Sequence, residues 1–187
     1  MAPIARTREP ELLDQLGAAV PSAELASNLR DIRRVNRWLG GTRAVLSAVV
    51  PLLRAAEADR PISILDVATG SADIPLALAA AAEREGRQVR IVATDREPAV
   101  LDVARAGVDS DVITIEVADA LALPYPDASF DIVTLSLALH HFDLDDALEV
   151  LREMKRVGRE ALVVNDLERV RLGYVGAWLA GNLLTRN

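Results

Sequence analysis

Two hydrophobic rhythms divide the chain. Between residues 9 and 58 apolar positions recur at helical spacing, as in Leu25, Leu29, Ile32, Val35 and Leu39, until Gly40-Gly41 interrupts the pattern. A second apolar helix is predicted over about Thr42 to Ala58, bent or stepped at Pro51, whose ring nitrogen cannot donate the interior hydrogen bond. Pro61 leads into a different regime, in which short aliphatic runs alternate with amphipathic stretches. Strands are predicted at Ile62 to Val67, Val89 to Thr94, Val112 to Val117, Phe130 to Leu135 and Ala161 to Asn165. Between them helices are predicted at Asp73 to Glu85, Glu97 to Ala106 and Asp145 to Val157, with Gly86, Gly107 and Gly158 standing where C-terminal caps belong. Val170 to Asn187 reads as one more helix. Strict alternation predicts an α/β fold: a mostly parallel, doubly wound sheet with right-handed crossovers and helices on both faces. We divide the chain into an N-terminal helical cap or lid, 1–59, and an α/β core, 60–187.

In such a sheet ligands bind beyond the carboxyl ends of the strands. The first strand ends there at Asp66, followed by a turn of small residues, Ala68, Thr69, Gly70, Ser71 and Ala72, in which Gly70 is free to adopt positive φ; Asp73 and Pro75 then open a helix. Asp95 ends the second strand, where an acid accepts from both ribose hydroxyls. Asp119 follows the third, where an acid accepts from an adenine amino group. A lone aspartate at a strand end is often only a turn former or helix cap. Three after successive strands point to a nucleoside site.

The charge of the first turn selects among nucleotides. A dinucleotide sets its pyrophosphate on a helix N-terminus served by three glycines. This turn offers only Gly70, and Asp73 places a carboxylate where the phosphate would sit. Adenosine without phosphate and with a positive charge fits better, and S-adenosylmethionine is such a ligand.

Composition narrows the alternatives. The 187 residues, 51% hydrophobic, suffice for one domain with a sizeable core. A net charge of -7 disfavours nucleic-acid binding through phosphate neutralisation. The absence of cysteine removes disulfides, thiolate nucleophiles and cysteine-ligated metals, and the single lysine, Lys155, is remote from any glycine-rich loop, which disfavours P-loop and Schiff-base chemistry. Ala44 to Leu53 is too short to span a bilayer and no signal peptide is evident, so a soluble cytoplasmic protein is expected.

Leu-Asp-Val-Ala-Thr-Gly-Ser-Ala-Asp at 65–73, the strand end at Asp95, Val-Ala-Asp-Ala at 117–120 and Phe-Asp-Ile-Val-Thr-Leu-Ser-Leu-Ala-Leu-His-His-Phe at 130–142 resemble the class I S-adenosylmethionine-dependent methyltransferases. The resemblance covers about residues 60 to 167. It is strongest to small-molecule enzymes of the ubiquinone and menaquinone C-methyltransferase type and to relatives found beside polyketide synthases. It implies a Rossmann-like fold in which Asp66 and the turn from Ala68 to Ala72, with Asp73, hold the methionine part. Asp95 with Arg96 would hold the ribose, Asp119 and Ala120 the adenine, and Ser136 and Leu137 would border the sulfonium. Two features depart from that pattern. Alanine replaces glycine at positions 68 and 72, which is tolerable if φ is negative there. The antiparallel C-terminal hairpin of the class is absent, leaving the fifth strand as an apolar edge. Truncation is the favoured explanation, because Leu179, Leu183 and Leu184 read as a helix face without a partner; pairing of two copies through that edge and coverage by 170–187 are the others.

Methyl transfer is an in-line displacement that needs chiefly alignment. Deprotonation of the acceptor falls to His140 or His141, the only histidines; in the competing assignment one caps or packs against the helix that starts near Asp145 and the other faces solvent. Asn165 and Asp166 belong to a potential metal site, but no acid follows the fourth strand to complete it, and a magnesium-independent reaction is expected. Arg33, Asn36 and Arg37 are expected on a solvated charged face rather than in the site, and Tyr174 and Trp178 in core or lid rather than on a membrane. The reading is methyl transfer to oxygen or carbon of an apolar aromatic, quinone or polyketide-like small molecule, without nucleic-acid partner or stable membrane insertion. The competing functions are a nicotinamide-dependent oxidoreductase and a non-catalytic S-adenosylmethionine-binding or partner subunit.

Overall fold

A computed structural model describes residues 22–57 and 59–166. Two helices, α1 (Ser22–Leu39) and α2 (Gly41–Ala55), precede an alternating β/α series. The series runs β1 (Ile62–Val67), α3 (Asp73–Arg84), β2 (Val89–Asp95), α4 (Pro98–Gly107), β3 (Ile113–Val117), β4 (Phe130–Ser136), α5 (Leu144–Val157) and β5 (Gly158–Asn165). The strands lie in the order β3-β2-β1-β4-β5 and every pairing is parallel. This is the Rossmann-like doubly wound arrangement, with strand order reversing on either side of β1.

Because β1 is central it is buried on both faces, and its alternate residues feed two cores. Ile62 and Ile64 pack with Val45, Val49 and Leu53 of α2 and with Ile74, Leu78 and Ala82 of α3. Leu65 and Val67 pack on the other side with Val150, Met154 and Val157 of α5 and with Leu123 and Phe130. The second N-terminal helix therefore shares the sheet's own core. It includes Pro51, the residue at which a bend or step is expected, within one continuous helix, and the proline is exposed.

Of the three expected glycine caps one has the expected geometry. Gly86 has φ +63°, and Arg87 N–H reaches back to Ala82 O at 2.9 Å, a Schellman closure of α3. Gly107 is instead the last residue of α4, and Gly158 is extended and begins β5 at once after α5. The fifth strand thus starts three residues earlier than its apolar run. The segment 170–187, with Tyr174, Trp178, Leu179, Leu183 and Leu184, lies outside the described residues, as does the side chain of Arg37.

Candidate functional site

The carboxyl ends of β1, β2 and β4 meet at the turn between β1 and α3, whose backbone is left-handed at alternate residues: φ is +53° at Ala68, +56° at Gly70 and +58° at Ala72. The condition under which alanine would be tolerated without strain, a negative φ, is therefore not met at either position. A β-carbon in this region costs about 1–2 kcal/mol, so the turn is held against its local preference by its surroundings. Thr69 N–H donates to Thr94 O at 2.7 Å, and Ala72 N–H to Thr69 O at 3.0 Å. Gly70 N–H donates to Asp95 Oδ2 at 3.0 Å, joining the turn to the end of β2.

Asp66 is beneath the turn, only 2% exposed. Its carboxylate accepts from the Thr69 hydroxyl at 2.7 Å and the Thr134 hydroxyl at 2.5 Å. Burial pushes its pKa up to about 7, opposed by the two hydroxyl bonds and helped by Asp73 and Asp95 nearby. The acid braces the loop from below rather than lining its outer surface.

Asp95 spends one oxygen on Gly70 and the other on Glu97 N–H at 3.1 Å, and burial raises its pKa as well. Arg96 beside it points to solvent and pairs with Glu97 at 3.5 Å. Asp119 is exposed and its Oδ1 accepts from Leu121 N–H at 3.0 Å, an Asx turn that satisfies the plain structural reading for that oxygen; Ala120 is buried behind it.

The first helix reaches this turn, contrary to the expectation of a solvated face. Arg33 donates through Nη2 to Ser71 O at 2.8 Å and through Nε to Ser71 Oγ at 3.3 Å. Asn36 is 5% exposed, and its Nδ2 donates to Asp73 Oδ2 at 2.9 Å. Asp73 opens α3 as expected, with its pKa raised by burial and held back by the Asn36 bond. The charged look of 28–38 in sequence conceals the two side chains that dock the helix.

Beyond β4, Leu137 takes φ +54° and gives its N–H to Asn165 O at 2.8 Å, while Ser136 Oγ accepts from Asn165 Nδ2 at 2.9 Å. A short 3-10 turn, Leu139–His141, follows. There His140 Nδ1 lies 2.6 Å from Asp166 Oδ1, and His140 N–H donates to Asp166 Oδ2 at 2.8 Å. The His141 ring is 4.2 Å from that of His140. The helix that follows is capped by Asp143, which accepts from Asp146 N–H, so neither histidine has that task. Asp166 was weighed in sequence only as part of a metal site; the signal available was its place after β5, the strand beside β4. Thr69 and Thr134 as braces for Asp66 required the β1–β4 register, in which Asp66 lies opposite Thr134.

The methyltransferase-domain family matches residues 64–161, a span that takes in the turn, Asp95, Asp119 and both histidines. The demethylmenaquinone methyltransferase of Deinococcus radiodurans is 45% identical over 104 residues, covering 54% of this chain and 41% of that protein. The ubiquinone/menaquinone biosynthesis C-methyltransferase UbiE of a Geobacter species is 36% identical over 98 residues, covering 50% of this chain and 40% of that one. The chain thus spans about two fifths of the length of these curated relatives. In fold it resembles a SAM-dependent methyltransferase from Aquifex aeolicus, with a TM-score of 0.57, 20% identity, and coverage of 76% of this chain and 73% of that one. Among the described residues no helix is long and apolar enough to cross a membrane.

Proposed function

The chain belongs to the methyltransferase-domain family, and from that premise we propose that it transfers a methyl group from S-adenosylmethionine to oxygen or carbon of a hydroxyl-bearing aromatic small molecule of quinol type. The observation that carries the proposal is the 2.6 Å contact of His140 Nδ1 with Asp166 Oδ1 on the edge where the acids of β1, β2 and β3 converge.

The residues fit the cofactor. The backbone of Ala68 to Ala72 presents small side chains at the head of α3, and Asp73 gives that helix start a negative charge that suits a cation and repels phosphate. Among the described residues the buried Asn36 Oδ1 has no hydrogen-bond partner, and it offers one further acceptor there. We assign Asp95 to the ribose hydroxyls, Asp119 and Ala120 to the adenine, and the residues around Ser136 and Leu137 to the neighbourhood of the sulfonium. S-adenosylmethionine, when bound, supplies an electrophilic methyl group on a cationic sulfur.

Asp66 acts through Thr69, fixing the turn. Asp166 accepts from His140 Nδ1–H and so keeps the lone pair of the neutral imidazole on Nε2, where it takes the proton of the acceptor hydroxyl; the same carboxylate stabilises the imidazolium that results. Loss of that proton raises electron density on the oxygen and on the conjugated ring carbons, so one base serves O- and C-methylation. The similarity to a demethylmenaquinone methyltransferase and to a ubiquinone/menaquinone biosynthesis C-methyltransferase supports a quinol acceptor.

The test is incubation of the chain with S-adenosylmethionine and a panel of reduced quinones and catechols, with product mass and the carbon shift of the new methyl as readouts. One methylated product is expected, and His140→Ala is expected to slow its formation by about 10²–10⁴-fold. Cofactor binding in calorimetry without transfer to any member of the panel overturns the proposal.

A further inference from the structure

The link between β3 and β4, residues 118–129, carries Asp119 and Ala120 near its start, and charged side chains of α5 hold it farther along. Its first residue is tied to the sheet, Ala118 N–H donating to Asp95 O at 3.1 Å. Asp119 then closes a tight turn: its carbonyl accepts from Ala122 N–H at 3.1 Å and its Oδ1 from Leu121 N–H at 3.0 Å, which leaves Oδ2 for a ligand. The next residue, Leu123, has both backbone groups taken by α5. Its N–H donates to Glu153 Oε2 at 2.8 Å and its carbonyl accepts from Arg156 Nη2 at 2.8 Å.

Glu153 and Arg156 lie one turn apart on α5 and are joined twice, Nε to Oε1 and Nη2 to Oε2, each at 2.7 Å. Arg156 Nη1 goes on to Tyr125 O at 2.7 Å and to Asp127 Oδ1 at 3.0 Å. With the bond to Leu123 these contacts match the full donor set of a guanidinium, and bonds from a charged donor are the strong ones. From the other side Tyr125 Oη donates to Glu116 of β3 at 2.7 Å. The link is thus pinned at 118 and again from 123 onward, and what lies between the two pins is the Asp119 turn.

We infer that Glu153 and Arg156 are positioning residues for Asp119: acting through Leu123, they fix the height of its carboxylate against the purine edge and so make the site choose a 6-amino over a 6-oxo purine. The inference rests on the adenine assignment proposed above and adds the residues of α5 on which its selectivity depends. A carboxylate accepts from an amino group and repels a carbonyl, but an exposed one on a slack loop escapes the repulsion by turning away. Discrimination requires an acceptor that cannot retreat, and a loop bolted to a helix supplies it.

The test is calorimetric titration of the full chain with S-adenosylhomocysteine and with S-inosylhomocysteine, in which a carbonyl replaces the adenine amino group. Wild type is expected to prefer the first by at least about tenfold. Arg156→Lys keeps the charge with fewer donors, and Glu153→Gln keeps an acceptor for Leu123 without the charge. Each is expected to weaken S-adenosylhomocysteine by about five- to tenfold and to leave S-inosylhomocysteine within about twofold, so that the preference collapses. A preference that disappears in Asp119→Ala yet survives in both α5 variants overturns the positioning role. So does an equal loss of both ligands in a variant whose circular dichroism is unchanged. A preference missing from wild type, or intact in Asp119→Ala, refutes the adenine assignment itself.

Discussion

At the amino-terminal edge of the sheet Asp131 is paired with two half-exposed arginines, whereas at the carboxyl-terminal edge Asp66, equally buried at 2% exposure, meets only hydroxyls among the described residues. Asp131 accepts a bidentate pair from Arg60 at 2.6 and 2.8 Å, a further bond from Arg159 at 2.6 Å, and the N–H and hydroxyl of Ser63 at 2.9 and 2.8 Å. The Arg60 guanidinium holds its carboxyl well below the usual carboxylate range. Among the described residues no cation hydrogen-bonds Asp66, and burial drives its pKa to about 7. The two aspartates share a sheet and a degree of burial, yet one is matched as completely as an ion pair can be and the other is left under-compensated. Full matching is what stability selects; incomplete matching at a ligand edge leaves negative character for something else to use.

Asp131→Ala is expected to cost about 2–3 kcal/mol in urea unfolding, chiefly because the Ser63 donors lose their acceptor while the half-exposed arginines turn to water. Its affinity for S-adenosylmethionine should not change. Asp95→Ala is expected to do the reverse, weakening cofactor binding in calorimetry by about 1.5–3 kcal/mol with a smaller effect on unfolding. If Asp95→Ala unfolds the protein as readily as Asp131→Ala while sparing affinity, the distinction between the edges fails.

Asp66→Asn is expected to shift stability by less than about 1 kcal/mol at neutral pH, since the amide oxygen still accepts a hydroxyl. The pH dependence separates the acids further. Between about pH 4 and 7 folded Asp66 holds a proton that the unfolded chain has released, so its contribution makes stability fall as pH rises through that window. Asp131, lowered chiefly by Arg60 with help from Ser63, stabilises at and above the ordinary carboxylate range and loses that contribution as pH falls below that range toward its own depressed value. Denaturation midpoints across pH should therefore lose their neutral-side decline in Asp66→Asn and their acid-side rise in Asp131→Asn. The smallest expected effect is at Ala68: glycine relieves the left-handed strain at a half-buried position, for a gain of about 0.5 kcal/mol. A loss there would mean that the Ala68 methyl packs more than it strains.

The elements of the sheet were legible in sequence because aliphatic runs between amphipathic helices admit few topologies. Strands β1 to β4 fall within a residue of the apolar runs that announce them. β5 begins early because Gly158, which looks like a helix cap, is spent on the close passage of the chain under α5. The acids at the strand ends were legible too, since their positions depend only on where strands stop. What was not legible depends on register between distant segments: Thr134 under Asp66, Asp166 against His140, and the inward face of α1, where arginine-rich composition suggests water and the fold supplies Ser71 and Asp73. The positive φ of Ala68 and Ala72 was hidden because alanine gives no local sign of a left-handed turn imposed by its neighbours.

No loop separates α5 from β5, and a β-carbon at Gly158 would come within 2.9 Å of Met154 O and 3.1 Å of Val133 Cγ2. Helix and strand are thus keyed together without slack. One residue inserted at that joint would exchange the two faces of β5, swing Val163 out of the interior, and carry Asp166 away from His140. The spacing from Met154 to Asp166 therefore behaves as a fixed gauge between the helix and the histidine's partner.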